Sequence, residues 1–180
     1  MVRVWACAGR WVRRSICAPR RQKASASWSS PAASACPTAA LPAPAPLLLG
    51  PDEESLQWVA SAALARGWDH AVCVKQRHGD RHVTIALPAV PVAGRAVVLL
   101  DDVASSGQTL IEATRLLRAA GAASVDVAVT HALFAGDAVE RVQAAGARHI
   151  WSSDCIAHPS NAVSIVPAVA GVLRAWSAVV

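Results

Sequence analysis

Two neighbouring acids, Asp101 and Asp102, are followed by Val103-Ala104-Ser105-Ser106-Gly107-Gln108-Thr109. A glycine lets the backbone turn tightly. Exposed amides, Ser and Thr hydroxyls and the positive end of a helix then form a cradle for a phosphate. Two carboxylates beside a phosphate would repel it, so they are better suited to accept hydrogen bonds from sugar hydroxyls or to hold a hydrated Mg2+. The combination reads as a site for a sugar phosphate. Its plain rival is that the two acids merely end a strand and that Ser105 or Ser106 caps the next helix. That rival suits an isolated Asp-Asp pair far better than it suits the whole string.

Elements that could position such a loop lie on both sides of it. Asp52-Glu53-Glu54-Ser55 puts acids at the start of an apolar helical pattern (Leu56, Val59, Ala60, Ala63, Leu64) that stops at Gly67, as the positive N-terminal end of a helix favours. A strand is predicted over 71–75, then a polar loop over 76–81, then an alternating strand over 83–87. Ala96-Val97-Val98-Leu99-Leu100 is a continuous apolar strand of the kind buried inside parallel sheets, and it leads through the acidic loop into a helix over about 108–120 ending at Gly121. A strand over 125–129, a helix near 137–145, a short strand over 149–151 and a helix after Pro167 follow. Strand and helix alternating at this spacing predict an α/β fold, an open and mainly parallel sheet flanked by helices.

Charge and composition narrow the partners. The chain has 17 Lys and Arg against 12 Asp and Glu, a formal charge of +5. Seven of those basic residues (Arg3, Arg10, Arg13, Arg14, Arg20, Arg21, Lys23) precede Leu47, a stretch without Asp or Glu. Ten basic against all 12 acidic residues remain, so the part that reads as folded carries about −2 and offers no basic face for nucleic acid. No uninterrupted apolar run approaches the roughly 18 residues of a membrane span. Cys7, Cys17, Cys36, Cys73 and Cys155 form neither a CxxC pair nor a dense secreted framework, which is the usage of a reduced, cytoplasmic protein.

Residues 1–46 mix Arg, Ala, Ser, Pro, Trp and Cys without a period and end in Leu41-Pro42-Ala43-Pro44-Ala45-Pro46. Such a segment buries too little to order itself. It reads as a targeting peptide, a plain disordered tail, or translation from a misplaced start or across a frameshift. Trp5, Trp11 and Trp28, aromatics of a kind scarce in linkers, weigh toward the last without removing the other two. Two regions are expected: a disordered or non-native tail at 1–46 and one domain at 47–180.

The string Val98-Leu99-Leu100-Asp101-Asp102-Val103-Ala104-Ser105-Ser106-Gly107-Gln108-Thr109 resembles the phosphoribosyl-diphosphate signature of the type I phosphoribosyltransferases. In that signature two acids follow a strand and Thr/Ser-Gly-x-Thr opens a helix. Four further segments resemble, in order and spacing, the C-terminal half of the ribose-phosphate diphosphokinase family, also called phosphoribosyl diphosphate synthetases. They are Gly50-Pro51-Asp52, Lys75-Gln76-Arg77-His78-Gly79, Thr130-His131-Ala132-Leu133-Phe134-Ala135-Gly136 and His158-Pro159-Ser160-Asn161-Ala162. The resemblance spans residues 47–176 and implies a type I phosphoribosyltransferase fold.

That family moves the β,γ-diphosphoryl group of ATP to the 1-hydroxyl of ribose 5-phosphate with Mg2+, a transfer that needs positive charge where the moving group accumulates negative charge. By resemblance Lys75 is the catalytic lysine and Arg77 its partner at the ribose 5-phosphate. Asp101 and Asp102 bind the ribose hydroxyls. Ser105, Ser106, Gly107, Gln108 and Thr109 hold the 5-phosphate, although the family often has an acid at the Ser105 position. Asp52 matches an acid that helps bind Mg2+, with a simple helix cap as its rival. His131 reads as a structural histidine at a strand end, and His78 and His82 as loop residues.

The family protein is about twice the length of this domain. Its N-terminal half supplies most of the adenine pocket and a histidine metal ligand, so the resemblance implies a truncated or partial ribose-phosphate diphosphokinase with a stronger ribose 5-phosphate site than ATP site. Expected partners are ribose 5-phosphate, ATP and phosphoribosyl diphosphate, without nucleic acid or membrane. A homo-oligomer or association with a full-length synthetase is expected. The competing readings are a phosphoribosyltransferase that consumes phosphoribosyl diphosphate, and a non-catalytic sugar-phosphate-binding partner of a full-length synthetase.

Overall fold

The structure, a computed structural model, describes residues 45–64, 66–78 and 82–177. Almost all of the tail expected at 1–46 therefore lies outside the described residues, as do residues 79–81 of the expected polar loop. Six strands form one parallel sheet: β1 (Leu47–Gly50), β2 (His70–Val72), β5 (Ala96–Ala104), β6 (Ser124–Ala132), β7 (Ala147–Ser153) and β8 (Asn161–Val163), in the order β2-β1-β5-β6-β7-β8. A separate antiparallel ribbon pairs β3 (Val74–His78) with β4 (His82–Ala86).

Alternation along the strands decides which face each helix covers, because successive strand residues point to opposite faces. Leu47, Leu49, Val97, Leu99, Val125 and Val127 share one buried cluster with Leu110, Ile111 and Leu117 of α2 (Gln108–Ala119) and with Ala138 and Val142 of α3 (Ala138–Ala144). Leu48, Val98, Leu100 and Ala128 share the other with Val59, Ala62 and Ala63 of α1 (Leu56–Leu64). Both faces of β1 and of the first part of β5 are thus covered, which is why residues 47–49 and 96–100 are continuously apolar. A fourth helix, α4 (Val166–Ser177), follows β8 and turns Val166, Val169, Leu173 and Trp176 toward solvent.

Three expectations are corrected and one strand is added. The strand expected over 71–75 is broken at Cys73, whose N–H donates to Gly50 O at 2.9 Å; the chain leaves the sheet there and begins the ribbon. Gln76, Arg77 and His78 are strand rather than loop, because they pair with Thr84, Val83 and His82. The apolar strand before the acids does not stop at Leu100 but runs through Asp101 and Asp102 to Ala104, held by β6 through Val103↔His131 and Ala104↔Ala132. β8, too short to signal itself, exists by pairing with Ser152 and Ser153 of β7.

One buried charge sits inside the sheet. Val125 pairs with Ala147 but Val127 pairs with Ile150, so Arg148 and His149 together oppose Asp126, the two-against-one count of a β-bulge. Asp126 is only 1% exposed. It accepts from Arg148 Nε at 3.0 Å and Nη2 at 2.6 Å, and its Oδ1 lies 2.9 Å from His149 Nδ1. A buried carboxylate survives only when paired in this way.

The turn after β1 has no spare volume. Asp52 accepts from the Ser55 N–H at 3.3 Å, capping a 3-10 turn (Glu53–Ser55), while the fully buried Ser55 hydroxyl donates back to Asp52 O. A Cβ added at Gly50 would lie 1.8 Å from Ser55 Oγ and 2.9 Å from Val72 Cγ1. Gly50→Ala is therefore expected to destabilise the fold by about 1–3 kcal/mol, the usual range for overpacking. Urea unfolding followed by circular dichroism measures it, and an unchanged midpoint would show that this turn relaxes freely.

Candidate functional site

The chain leaves β1 toward β2 on one side and passes from β5 to β6 and β7 on the other. The helices of the two directions, α1 against α2 and α3, cover opposite faces. The gap between the carboxyl ends of β1 and β5 is thus a topological switch point, the place where open α/β sheets bind ligands. Two loops flank it: residues 50–55 after β1, and residues 101–109 at the end of β5.

The second loop has the geometry of an anion cradle. Gly107 takes φ 69, in the left-handed region that favours glycine, and stands immediately before α2 with no side-chain cap. Ser106 Oγ is 3.5 Å from the Gln108 N–H, too long for a good cap. The serine cap that stood as the plain rival is thus reduced to one long contact, and the first-turn amides of α2 keep the capacity to bind an anion. Asp101, residues 103–109 and Leu110 line an open cleft of about 130 Å³.

Carboxylates dominate the electrostatics at the rim. Burial pushes the Asp101 carboxyl up to about 7, with repulsion from Asp102 and Asp52 adding to it against one backbone hydrogen bond. That bond comes from the Asp102 N–H at 2.9 Å. Asp102 in turn accepts from the Val103 N–H at 2.7 Å. Asp52 thus shares a field with Asp101 although 49 residues separate them in sequence. Burial, with Asp52 nearby, also raises Cys73 to about 12, which keeps that thiol protonated and inert as a nucleophile.

The cradle is braced from two sides. The N–H groups of Leu133 and Phe134 both donate to Ala104 O, at 3.1 and 2.8 Å, and that of Ala135 donates to Ser105 O at 3.0 Å. Phe134 holds φ 32 to do so, a conformation rare outside glycine that clusters near functional sites. On the other side α3 lies against Gly107, where an added Cβ would meet Val142 Cγ2 at 3.2 Å and Ala138 Cβ at 3.6 Å. Arg141 of α3 donates from Nη2 to Gln108 Oε1 at 3.0 Å. Neither brace has a local sequence signal, since Arg141 and Gln108 are 33 residues apart.

Of the residues singled out in the sequence, Asp101, Ser105, Ser106, Gly107, Gln108 and Thr109 line one cleft, with Asp102 adjacent and Asp52 across the switch point. Lys75 and Arg77 lie on β3, in register with Ile85 and Val83. The ribbon starts at Cys73, beside the end of β1, and Ile85 and Leu87 anchor it on the core cluster of α2. His131 is in β6 beside Val103. His158 lies 5.2 Å, ring to ring, from Phe134 and bonds Ser160 Oγ at 2.7 Å through Nδ1, so the 158–162 segment braces the same edge. Among the described residues no group of three or more His, Cys, Asp or Glu could hold a metal ion alone. No described helix is long and apolar enough to cross a membrane.

Curated relatives include ribose-phosphate pyrophosphokinases from Methanosarcina acetivorans, 33% identical over 72% of this chain and 46% of that one, and from Methanopyrus kandleri, 36% identical over 69% and 43%. The chain spans less than half the length of these relatives. Among solved structures, phosphoribosylpyrophosphate synthetase from Mycobacterium smegmatis superimposes with a TM-score of 0.56 at 27% identity, covering 72% of this chain and 44% of that one. An APRTase from Giardia lamblia, at TM-score 0.52 and 20% identity over 63% and 70%, shares the fold. The phosphoribosyl transferase domain matches residues 44–144, more than half of the sequence, and the chain belongs to that family.

Proposed function

We propose that this chain carries the ribose 5-phosphate site of a ribose-phosphate diphosphokinase, which converts ATP and ribose 5-phosphate to AMP and phosphoribosyl diphosphate. The observation that carries the reading is the uncapped start of α2 at the left-handed Gly107, facing a cleft whose rim holds Asp101 and Asp102. In this reading Ser105, Ser106, Gly107, Gln108 and Thr109 hold the 5-phosphate through amides and hydroxyls, and the two acids accept from the ribose hydroxyls. Lys75 and Arg77 supply positive charge to the moving diphosphoryl group, with Arg77 also reaching the sugar phosphate. The partial coverage of its relatives makes ATP binding the step for which the described residues offer least.

A Mg2+ ion fits the chemistry of the rim. Asp52 and Asp101 repel each other across the switch point, and no described cluster forms a metal cage. Such a donor set suits an ion that keeps its waters and shares substrate phosphates with one or two carboxylates. Asp52 would hold it, and the ion would neutralise charge on the diphosphoryl group. Asp52 also caps the 3-10 turn through Ser55 N–H, a role compatible with ion binding because a carboxylate has acceptor capacity to spare.

Isothermal titration with ribose 5-phosphate and then ATP, each with Mg2+, together with an assay for AMP, tests the reading. Ribose 5-phosphate should bind, and Lys75→Ala should lower AMP release by at least about a hundredfold, the scale of one lost charge-stabilising group, while leaving sugar-phosphate affinity within a few fold. No binding of ribose 5-phosphate would end the proposal. Diphosphate release from phosphoribosyl diphosphate without ATP would replace it with the transferase reading.

Asp101 gives a test that needs no ligand. Its carboxyl titrates near 7 in the folded protein against 3.8 in the unfolded chain, so between those values the folded state binds more protons and stability falls as pH rises. Thermal melts of Asp101→Asn and the parent should coincide below about pH 4 and diverge up to about pH 7, with the variant the more stable at pH 8. Parallel melting curves across that range would show that Asp101 is not strained by its surroundings.

A further inference from the structure

Among the described residues, those lining the anion cleft include one charged side chain, Asp101, and no cation. A phosphate dianion held there by amides and hydroxyls would sit beside a carboxylate, and positive charge placed against the lining offsets that repulsion. Arg141 touches that lining from outside, donating from Nη2 to Gln108 Oε1 at 3.0 Å. Its other charged neighbour, Asp137, is 3.9 Å from Nη1 on the same helix and largely exposed, a weak competitor.

The chemistry of the two groups fixes how they meet. A guanidinium has donors and no acceptor, whereas a carboxamide has one oxygen acceptor and one NH2 donor. With Oε1 taken by Arg141, Gln108 keeps its Nε2 free to donate, and Gln108 is a lining residue at the first position of α2. The register of α3 is also set. Ala138, Arg141 and Val142 share one helix face, and Ala138 and Val142 are the residues against Gly107. The contact that seats the glycine of the loop thus delivers Arg141 to the next residue.

We infer that Arg141 is a positioning residue for the anion cleft: by holding the Gln108 carboxamide oxygen, it commits the amide nitrogen to donate to a bound 5-phosphate and brings positive charge within one residue of it. This rests on the ribose 5-phosphate reading above. Arg141 acts through Gln108 and does not itself contact the ligand, and that distinction is measurable.

The test is a double-mutant cycle on the full chain: parent, Arg141→Ala, Gln108→Ala and the double variant, titrated with ribose 5-phosphate and with inorganic phosphate. Each single substitution should weaken ribose 5-phosphate binding about five- to tenfold, the size of one ordinary hydrogen bond, and the double variant should be no weaker than Gln108→Ala. Arg141→Lys, which keeps charge but loses the planar fork, should fall between parent and Arg141→Ala. Arg141 is half exposed, and thermal melts of each variant establish that the fold is kept. An Arg141→Ala protein with parental affinity would overturn the inference. So would losses that add fully in the double variant, since a helix support or an independent charge gives that result. Failure of the parent to bind either probe would remove the ribose 5-phosphate reading and this inference with it, whereas a binding parent with uncoupled variants would remove this inference alone.

Discussion

The structure depends on one constraint, the burial of β5 on both faces between β1 and β6. A strand so placed must be apolar along its length, must be parallel to its neighbours, and must release its first polar residues where the sheet ends. Val97, Val98, Leu99 and Leu100 meet the first requirement with almost no exposed surface. Asp101 meets the last while still half-buried, and its reluctance to ionise follows directly. The same burial that stabilises the sheet loads the carboxyl that the sheet presents at its switch point.

From this follows a division of labour around the site. The anion loop is defined by backbone, with a left-handed glycine and a helix start, and needs few particular side chains of its own. Its rigidity comes from elements that arrive later in the chain: the 133–135 segment bonded to Ala104 and Ser105, and α3 lying on Gly107. The ribbon that carries Lys75 and Arg77 is joined differently, since it pairs only with itself and is anchored through the apolar side chains of β4 and the turn after it. A two-stranded ribbon alone is marginally stable, so the ribbon and the 101–109 loop rest on supports of unequal stiffness.

Much of this was legible in the sequence where a local rule coincided with the global fold. The apolar run at 96–100, the glycine stops at Gly67 and Gly121, and the helix start after Gly107 each carry their own signal and lie where expected, although the strand runs four residues further into the acidic string. What was not legible arises from pairing between distant residues. Gln76, Arg77 and His78 have loop-like composition and are strand because His82, Val83 and Thr84 lie opposite. Asp126 reads as an acid interrupting a strand, and is tolerated because a bulge brings Arg148 and His149 to it. Asp52 was weighed as an ion ligand or a cap, and only its geometry shows that the cap is made.

The contact between Gly107 and α3 has a consequence for how this domain could be taken apart or rebuilt. Because Gly107 is constrained both by its φ and by the atoms of Ala138 and Val142, the binding loop is not an interchangeable surface peptide. The smallest portable unit is the whole run from β5 through α3. A graft of the 101–109 segment alone onto another parallel sheet would arrive without the floor that shapes it.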